Sequence, residues 1–180
     1  MTLESGYRRR MARIPRYALA DGRCFHLFAR GVDHLAIFRD REDRLEFLAL
    51  LADVVDREAW SCHAFCLMDT HVHLVVEARL ARISRGMQRL LGTYARRFND
   101  RYARVGHLFG DRFGARLVDS ERYLGDAIEY VLQNPVRAGL VESAADWSWS
   151  GARGAADARL LSPRPVDSAI RAGTLAGCAP

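Results

Sequence analysis

The alternation of apolar and polar positions divides the chain into a short series of elements. In residues 24–32, Phe25, Leu27 and Ala29 alternate with His26, Phe28 and Arg30, the period of a strand with one covered face. Residues 41–57 switch to helical spacing through Leu45, Leu48, Ala49, Ala52 and Val55. Two strand-like runs follow, 60–68 and 71–77, separated by Asp69-Thr70, a spacing that predicts a tight hairpin although neither residue is glycine. Ile83, Met87, Leu90, Leu91, Tyr94 and Phe98 then recur on one arc of a second helix, which places the Tyr94 ring in the core. A short strand is predicted at 115–118. Asp119 or Ser120 supplies an N-cap for a last helix that runs to about Asn134 and stops at Pro135. The order strand, helix, strand, strand, helix, strand, helix predicts an α+β fold: a ferredoxin-like antiparallel sheet with helices packed on it and an added helix. Residues 1–15 read as a basic flexible arm, 16–150 as the domain and 151–180 as an Ala-, Gly- and Pro-rich tail.

Composition narrows the class of partner. A chain of 180 residues with 49% hydrophobic content fits one domain. No apolar run approaches the roughly 20 residues that span a bilayer, so no membrane partner is expected and the reading is a cytoplasmic protein. Net charge is +5, and all 27 basic residues are arginine, whose planar fork suits phosphate oxygens. Arg82, Arg85, Arg89, Arg96 and Arg97 lie off the apolar arc of the second helix, and the Gly- and Arg-rich segment 104–114 adds Arg112; these six are the candidate DNA-binding residues. Cys24, Cys62, Cys66 and Cys178 form no Cys-x-x-Cys pair and read as free thiols, with Cys62 and Cys66 expected on one face of their strand.

Candidate chemistry sits in two places. Alternation along 71–77 aims His71, His73, Val75 and Glu77 one way, so two imidazoles share a face and can grip one divalent ion. In the last helix Tyr123, Asp126, Tyr130 and Asn134 cluster away from the apolar side formed by Leu124, Ile128, Val131 and Leu132. Tyr130 and Asn134 stand one turn apart, a phenol beside a carboxamide able to ligate a metal.

Five ordered segments, FARGVDHLAIFRD, AFCLMDTHVHLVVE, YARRFNDRYARVGHLFGDRF, YLGDAIEYVLQNPVRAGLV and WSWSG, resemble the single-tyrosine transposases of the HUH endonuclease superfamily, particularly the REP-associated tyrosine transposases. The resemblance implies His71 and His73 as paired metal ligands, Tyr130 as the catalytic tyrosine and Asn134 as the third ligand. It further implies Mg²⁺ or Mn²⁺ with no nucleotide cofactor, and action on single-stranded DNA beside imperfect, palindromic hairpins. Such an enzyme cuts and rejoins DNA through a 5′-phosphotyrosine intermediate. Two departures stand out: Asp69-Thr70 replaces the usual Pro-Asn before the first histidine, and Asp33-His34 replaces the usual Asn-Arg after the first strand.

Two other readings compete at this stage. An antiparallel sheet with exposed aromatic and arginine side chains can be a non-catalytic single-stranded nucleic-acid-binding module. A structural zinc site could mix Cys62 or Cys66 with His71 and His73. The sequence leaves open the DNA target, whether the enzyme is active or domesticated, and monomer against homodimer.

Overall fold

The computed structural model describes residues 23–152. Strand β1 (Arg23–Arg30) leads through a 3₁₀ turn (Val32–His34) to helix α1 (Arg41–Glu58); β2 (Ser61–Met68) and β3 (His71–Ala78) form a hairpin, followed by α2 (Leu80–Arg101) and β4 (Gly114–Val118). Helix α3 (Glu121–Leu132), a single turn α4 (Asn134–Arg137), a second 3₁₀ turn (Ala144–Asp146) and β5 (Ser150–Ala152) complete the described chain. The sheet is antiparallel throughout, in the order β4-β1-β3-β2-β5. Its first four strands have the ferredoxin-like arrangement expected from the element order.

Strand alternation sorts the side chains onto two faces. Leu27, Phe65, Val72, Leu74 and Val76 pack with Phe47, Leu51 and Val54 of α1 and with Ile83, Met87, Leu90, Tyr94 and Phe98 of α2. Ala64, Cys66, Met68 and Val75 point the other way, against Ala127 and Val131 of α3. Helices α1 and α2 thus cover one face, and α3 crosses the opposite one. Tyr94 is fully buried among Phe38, Phe47 and Phe98, and its hydroxyl donates to the Ile37 carbonyl at 2.5 Å.

Four details depart from the sequence reading. The covered side of α1 is Phe47, Leu51 and Val54, whereas Leu45 is 43% exposed; apolar residues ring this helix on every side, so spacing alone does not select the stripe. A bulge between Cys62 and Ala64 shifts the β2 register, so Cys62 packs with the α1/α2 layer and Cys66 with α3. One extra residue inverts the alternation, and the two thiols therefore occupy opposite faces. Pro135 does not end the helical region. It opens the turn α4, where the missing N–H costs nothing. Finally, β5 pairs with β2 through Ala152, so the sheet reaches into the segment read as tail; the rest of that segment, and the arm 1–15, lie outside the described residues.

The Asp69-Thr70 turn is fixed by its surroundings. Neither residue adopts a positive φ, so glycine is not required. The Asp69 carbonyl accepts from the Ile37 and Phe38 amides, the Thr70 carbonyl accepts from Gly31, and the Asp69 carboxylate pairs with Arg44. Arg44 in turn lies 5.5 Å from the Phe38 ring and 5.4 Å from the Trp149 ring. Such anchoring holds the hairpin end, and hence His71, against α1 and the segment before β5.

Candidate active site

The α3 face of the sheet carries a row of imidazoles. His73 sits opposite Phe28 of β1 on one side and Cys66 of β2 on the other, while His26 lies two residues before Phe28 on the same face of β1. His26 Nε2 and His73 Nδ1 are 2.9 Å apart, with ring centroids separated by 5.0 Å. The His71 ring stands perpendicular to that of His73 at 5.0 Å, and its Nδ1 lies 3.0 Å from Thr70 Oγ1. Each of the two strand histidines therefore has Nδ1 engaged by a neighbour, which leaves Nε2 as the nitrogen able to face a ligand.

Burial keeps these rings neutral. His26 is pushed down to about 3 by loss of solvent and then by the Arg116 charge. His71 falls to about 4, mainly through burial and secondarily through Arg30. Burial, His26 and His71 hold His73 well below the ordinary imidazole value. At neutral pH every lone pair needed for metal ligation is present.

Tyr130 reaches this row from α3. Its ring packs edge-on against His26 at 5.7 Å and His73 at 6.2 Å, and the Arg137 guanidinium lies 4.5 Å from its centroid. The Asn134 amide nitrogen donates to the Tyr130 carbonyl at 2.8 Å and the Val131 carbonyl at 3.2 Å. Asn134 thus closes the end of α3 with its amide nitrogen, which leaves Oδ1 as its acceptor atom. His26, Phe28, His73, Arg112, Arg116 and Tyr130 line one cleft of about 840 Å³. Phe28 forms part of its floor because β4 has glycine at the facing position: a Cβ on Gly114 would fall 2.2 Å from the ring.

The donor set fits a hard ion shared with substrate. Two imidazoles and one amide oxygen leave coordination positions for water and phosphate oxygens, as Mg²⁺ or Mn²⁺ requires. Among the described residues no three His, Cys, Asp or Glu side chains gather as a metal cage. Cys62 lies on the other face, so the four-ligand zinc set of Cys62, Cys66, His71 and His73 does not assemble.

The structure brings His73 and Tyr130 into one cleft, with the His71 ring against His73, but distributes the six arginines. Arg82 donates to the Glu58 carbonyl, Arg85 pairs with the Glu58 carboxylate and Arg97 with Glu46, all within the α1/α2 layer. Arg89 and Arg96 are exposed on α2. Arg112 alone of the six lines the cleft. Conversely, the sequence reading passed over His26, Arg116 and Arg137. The His26 position was visible as a polar break in an apolar strand; its pairing with His73 depends on strand register.

The sequence profile of the family described as "Transposase IS200 like" matches residues 25–134, from the first strand to the carboxamide beside the tyrosine helix. The chain belongs to the IS200-like transposase family. A Haemophilus influenzae protein named as a REP-associated tyrosine transposase is 26% identical over 117 residues, covering 58% of this chain and 66% of that protein. The chain thus spans just under two thirds of that relative's length. A solved structure of a REP-associated tyrosine transposase bound to a REP hairpin superimposes with a TM-score of 0.55 at 17% identity, covering 78% of this chain and 82% of that one. This likeness shows that the transposase shares the fold, an open antiparallel sheet with helices on both faces. Among its described residues, no helix is long and apolar enough to cross a membrane.

Proposed function

We propose that this transposase-family chain is a metal-dependent single-stranded DNA endonuclease and strand transferase that works beside DNA hairpins in the cytoplasm. The observation that carries the reading is Tyr130 packed edge-on against the His26–His73 pair, which sets a phenol next to neutral imidazoles in one cleft. Family membership and the hairpin carried by the solved relative supply the substrate class.

In this mechanism the Tyr130 hydroxyl oxygen attacks the scissile phosphorus in line. The new bond is a 5′-phosphotyrosine; the bond that breaks is to the 3′-oxygen, which takes a proton and leaves as a free 3′-OH. Held by His71, His73 and the Asn134 carboxamide oxygen, Mg²⁺ or Mn²⁺ would supply Lewis-acid stabilisation of charge on that phosphate. His26 and Thr70 orient the two ligand rings through their Nδ1 atoms. Arg137, with its guanidinium 4.5 Å from the Tyr130 ring centroid, helps hold that ring in place. Rejoining reverses the first step, because the covalent link conserves the phosphodiester.

The test is incubation of the purified protein with single-stranded hairpin DNA from its own genomic flanks, with and without Mn²⁺. A covalent adduct mapped to Tyr130 and absent without the metal is the expected result. DNA binding without any adduct would replace this reading with the non-catalytic binding module.

A further inference from the structure

Arg116 of β4 occupies a position that the metal and tyrosine chemistry leaves without a role. It is the cross-strand neighbour of His26, on the α3 face of the sheet, and it lines the same cleft as His73 and Tyr130. Its guanidinium lies 5.6 Å from the centroid of the Phe28 ring. That ring is itself seated over Gly114, where no Cβ could be accommodated, so a floor of β1 and β4 atoms supports the cation. Arg30 and Arg112 also border the cleft, but both are exposed; Arg116 is half-buried on β4 beside β1.

Charge and geometry give the placement a purpose. A phosphodiester entering beside Tyr130 brings an anion into a cleft that Arg116 also lines. Arg116 stands opposite His26, whose ring lies 5.7 Å from that of Tyr130, which places the guanidinium beside the reacting centre. A guanidinium held on an aromatic floor presents its paired N–H groups in a fixed plane, matching two non-bridging phosphate oxygens.

We propose that Arg116 contacts the scissile phosphate and stabilises the charge that grows on its non-bridging oxygens as Tyr130 attacks. This role rests on the endonuclease reading given above. It makes Arg116 a catalytic residue in addition to Tyr130 and the metal ligands, selective for the phosphate being cut over its neighbours in the strand.

The experiment is single-turnover cleavage of the hairpin-flanked strand by the full chain with Mn²⁺, comparing ordinary DNA with DNA bearing a methylphosphonate at the scissile position. On ordinary DNA, Arg116→Gln should cleave about 100-fold more slowly, the scale of losing one preorganised charge-stabilising donor, with DNA affinity changed less than about threefold. Arg116→Lys should recover part of that loss, since it keeps charge but not the planar fork. On the methylphosphonate, where one non-bridging oxygen and its charge are gone, the ratio of wild-type to variant rates should fall toward one. Equal rates on ordinary DNA, or an unchanged ratio on the methylphosphonate, would overturn the assignment by placing Arg116 elsewhere on the strand or in a purely structural role. If Arg116→Gln does not fold, the Arg116→Lys ratio on the two substrates decides between the same outcomes. A wild-type chain that forms no adduct on either DNA refutes the endonuclease reading itself, and Arg116 falls with it.

Discussion

Lowering the pH of the metal-free protein from 7.5 to 5.5 tests the buried imidazole pair directly. In the folded chain His26 is held down at about 3 and His73 well below its ordinary 6.5, whereas in the unfolded chain both titrate near about 6.5. Between those limits the unfolded chain binds more protons, so stability rises with pH, is complete above about 6.5 and is lost as the pH falls. At pH 5.5 each imidazole costs about RT ln 11, or about 1.4 kcal/mol, and the pair about 3 kcal/mol. His71 acts in the same direction, though it is more accessible and contributes less. The assay is the urea midpoint at several pH values in the presence of EDTA. His26→Phe should roughly halve the pH-dependent part and should remove a further ~1–3 kcal/mol at pH 7.5, because His73 Nδ1 loses its 2.9 Å partner inside the protein. Stability that is flat from pH 7.5 to 5.5, or a slope untouched by His26→Phe, would refute the neutral pair. The same neutrality predicts that Mn²⁺ affinity, read by calorimetry, changes little between pH 6 and 8.

The other predictions concern single side chains. Tyr130→Phe should fold and bind DNA without forming an adduct, whereas Tyr94→Phe should still cleave and lose ~1–2 kcal/mol, read by urea denaturation, because the Ile37 carbonyl is left without its donor. His71→Ala and His73→Ala should abolish cleavage while keeping most of the DNA affinity, measured by gel shift beside the adduct assay. Gly114→Ala should cost ~1–3 kcal/mol, since its Cβ meets the Phe28 ring at 2.2 Å; an unchanged melting curve would show that the ring moves aside freely. Arg112→Gln should lower the slope of log affinity against log salt by about 0.7, one phosphate contact on a single strand. Arg85→Gln should instead destabilise the fold, because it strands the buried Glu58 carboxylate.

What the sequence made legible follows from how local each signal is. Alternation at 71–77 and helical spacing at 83–98 are read within a few residues, and β3 and α2 appear where those patterns place them. Tyr94 is core for the same reason. The opposed faces of Cys62 and Cys66 depend on a single bulge at His63, and nothing in the local pattern announces it. The His26–His73 bond joins residues 47 positions apart, and the Arg116–His26 adjacency is set by how β4 pairs with β1. Those contacts belong to register rather than to periodicity. The α2 arginines show the converse: a basic helix surface is legible, but the acids that pair with Arg85 and Arg97 come from α1.

At Asp69-Thr70, where the family resemblance implies Pro-Asn, the turn is held by a different means. Pro-Asn would stiffen this turn through the proline ring, whereas here stiffness comes from outside it: three backbone bonds to residues 31, 37 and 38, and the Arg44–Asp69 pair against Phe38 and Trp149. The threonine also meets the adjacent imidazole, with Oγ1 3.0 Å from His71 Nδ1. When His71 offers Nε2 to a metal, its Nδ1 carries the proton and Thr70 accepts it, the same division of labour that His26 performs for His73. Both imidazoles thus have an orienting partner from a different source, one from the neighbouring strand and one from the turn. Removing either partner should weaken Mn²⁺ binding about 10–100-fold while leaving the other histidine's orientation in place. Thr70→Val retains the shape of the side chain and deletes only the acceptor. It therefore isolates the orienting bond from the packing of the turn, and calorimetry showing wild-type Mn²⁺ affinity in Thr70→Val would remove the hydroxyl from the site.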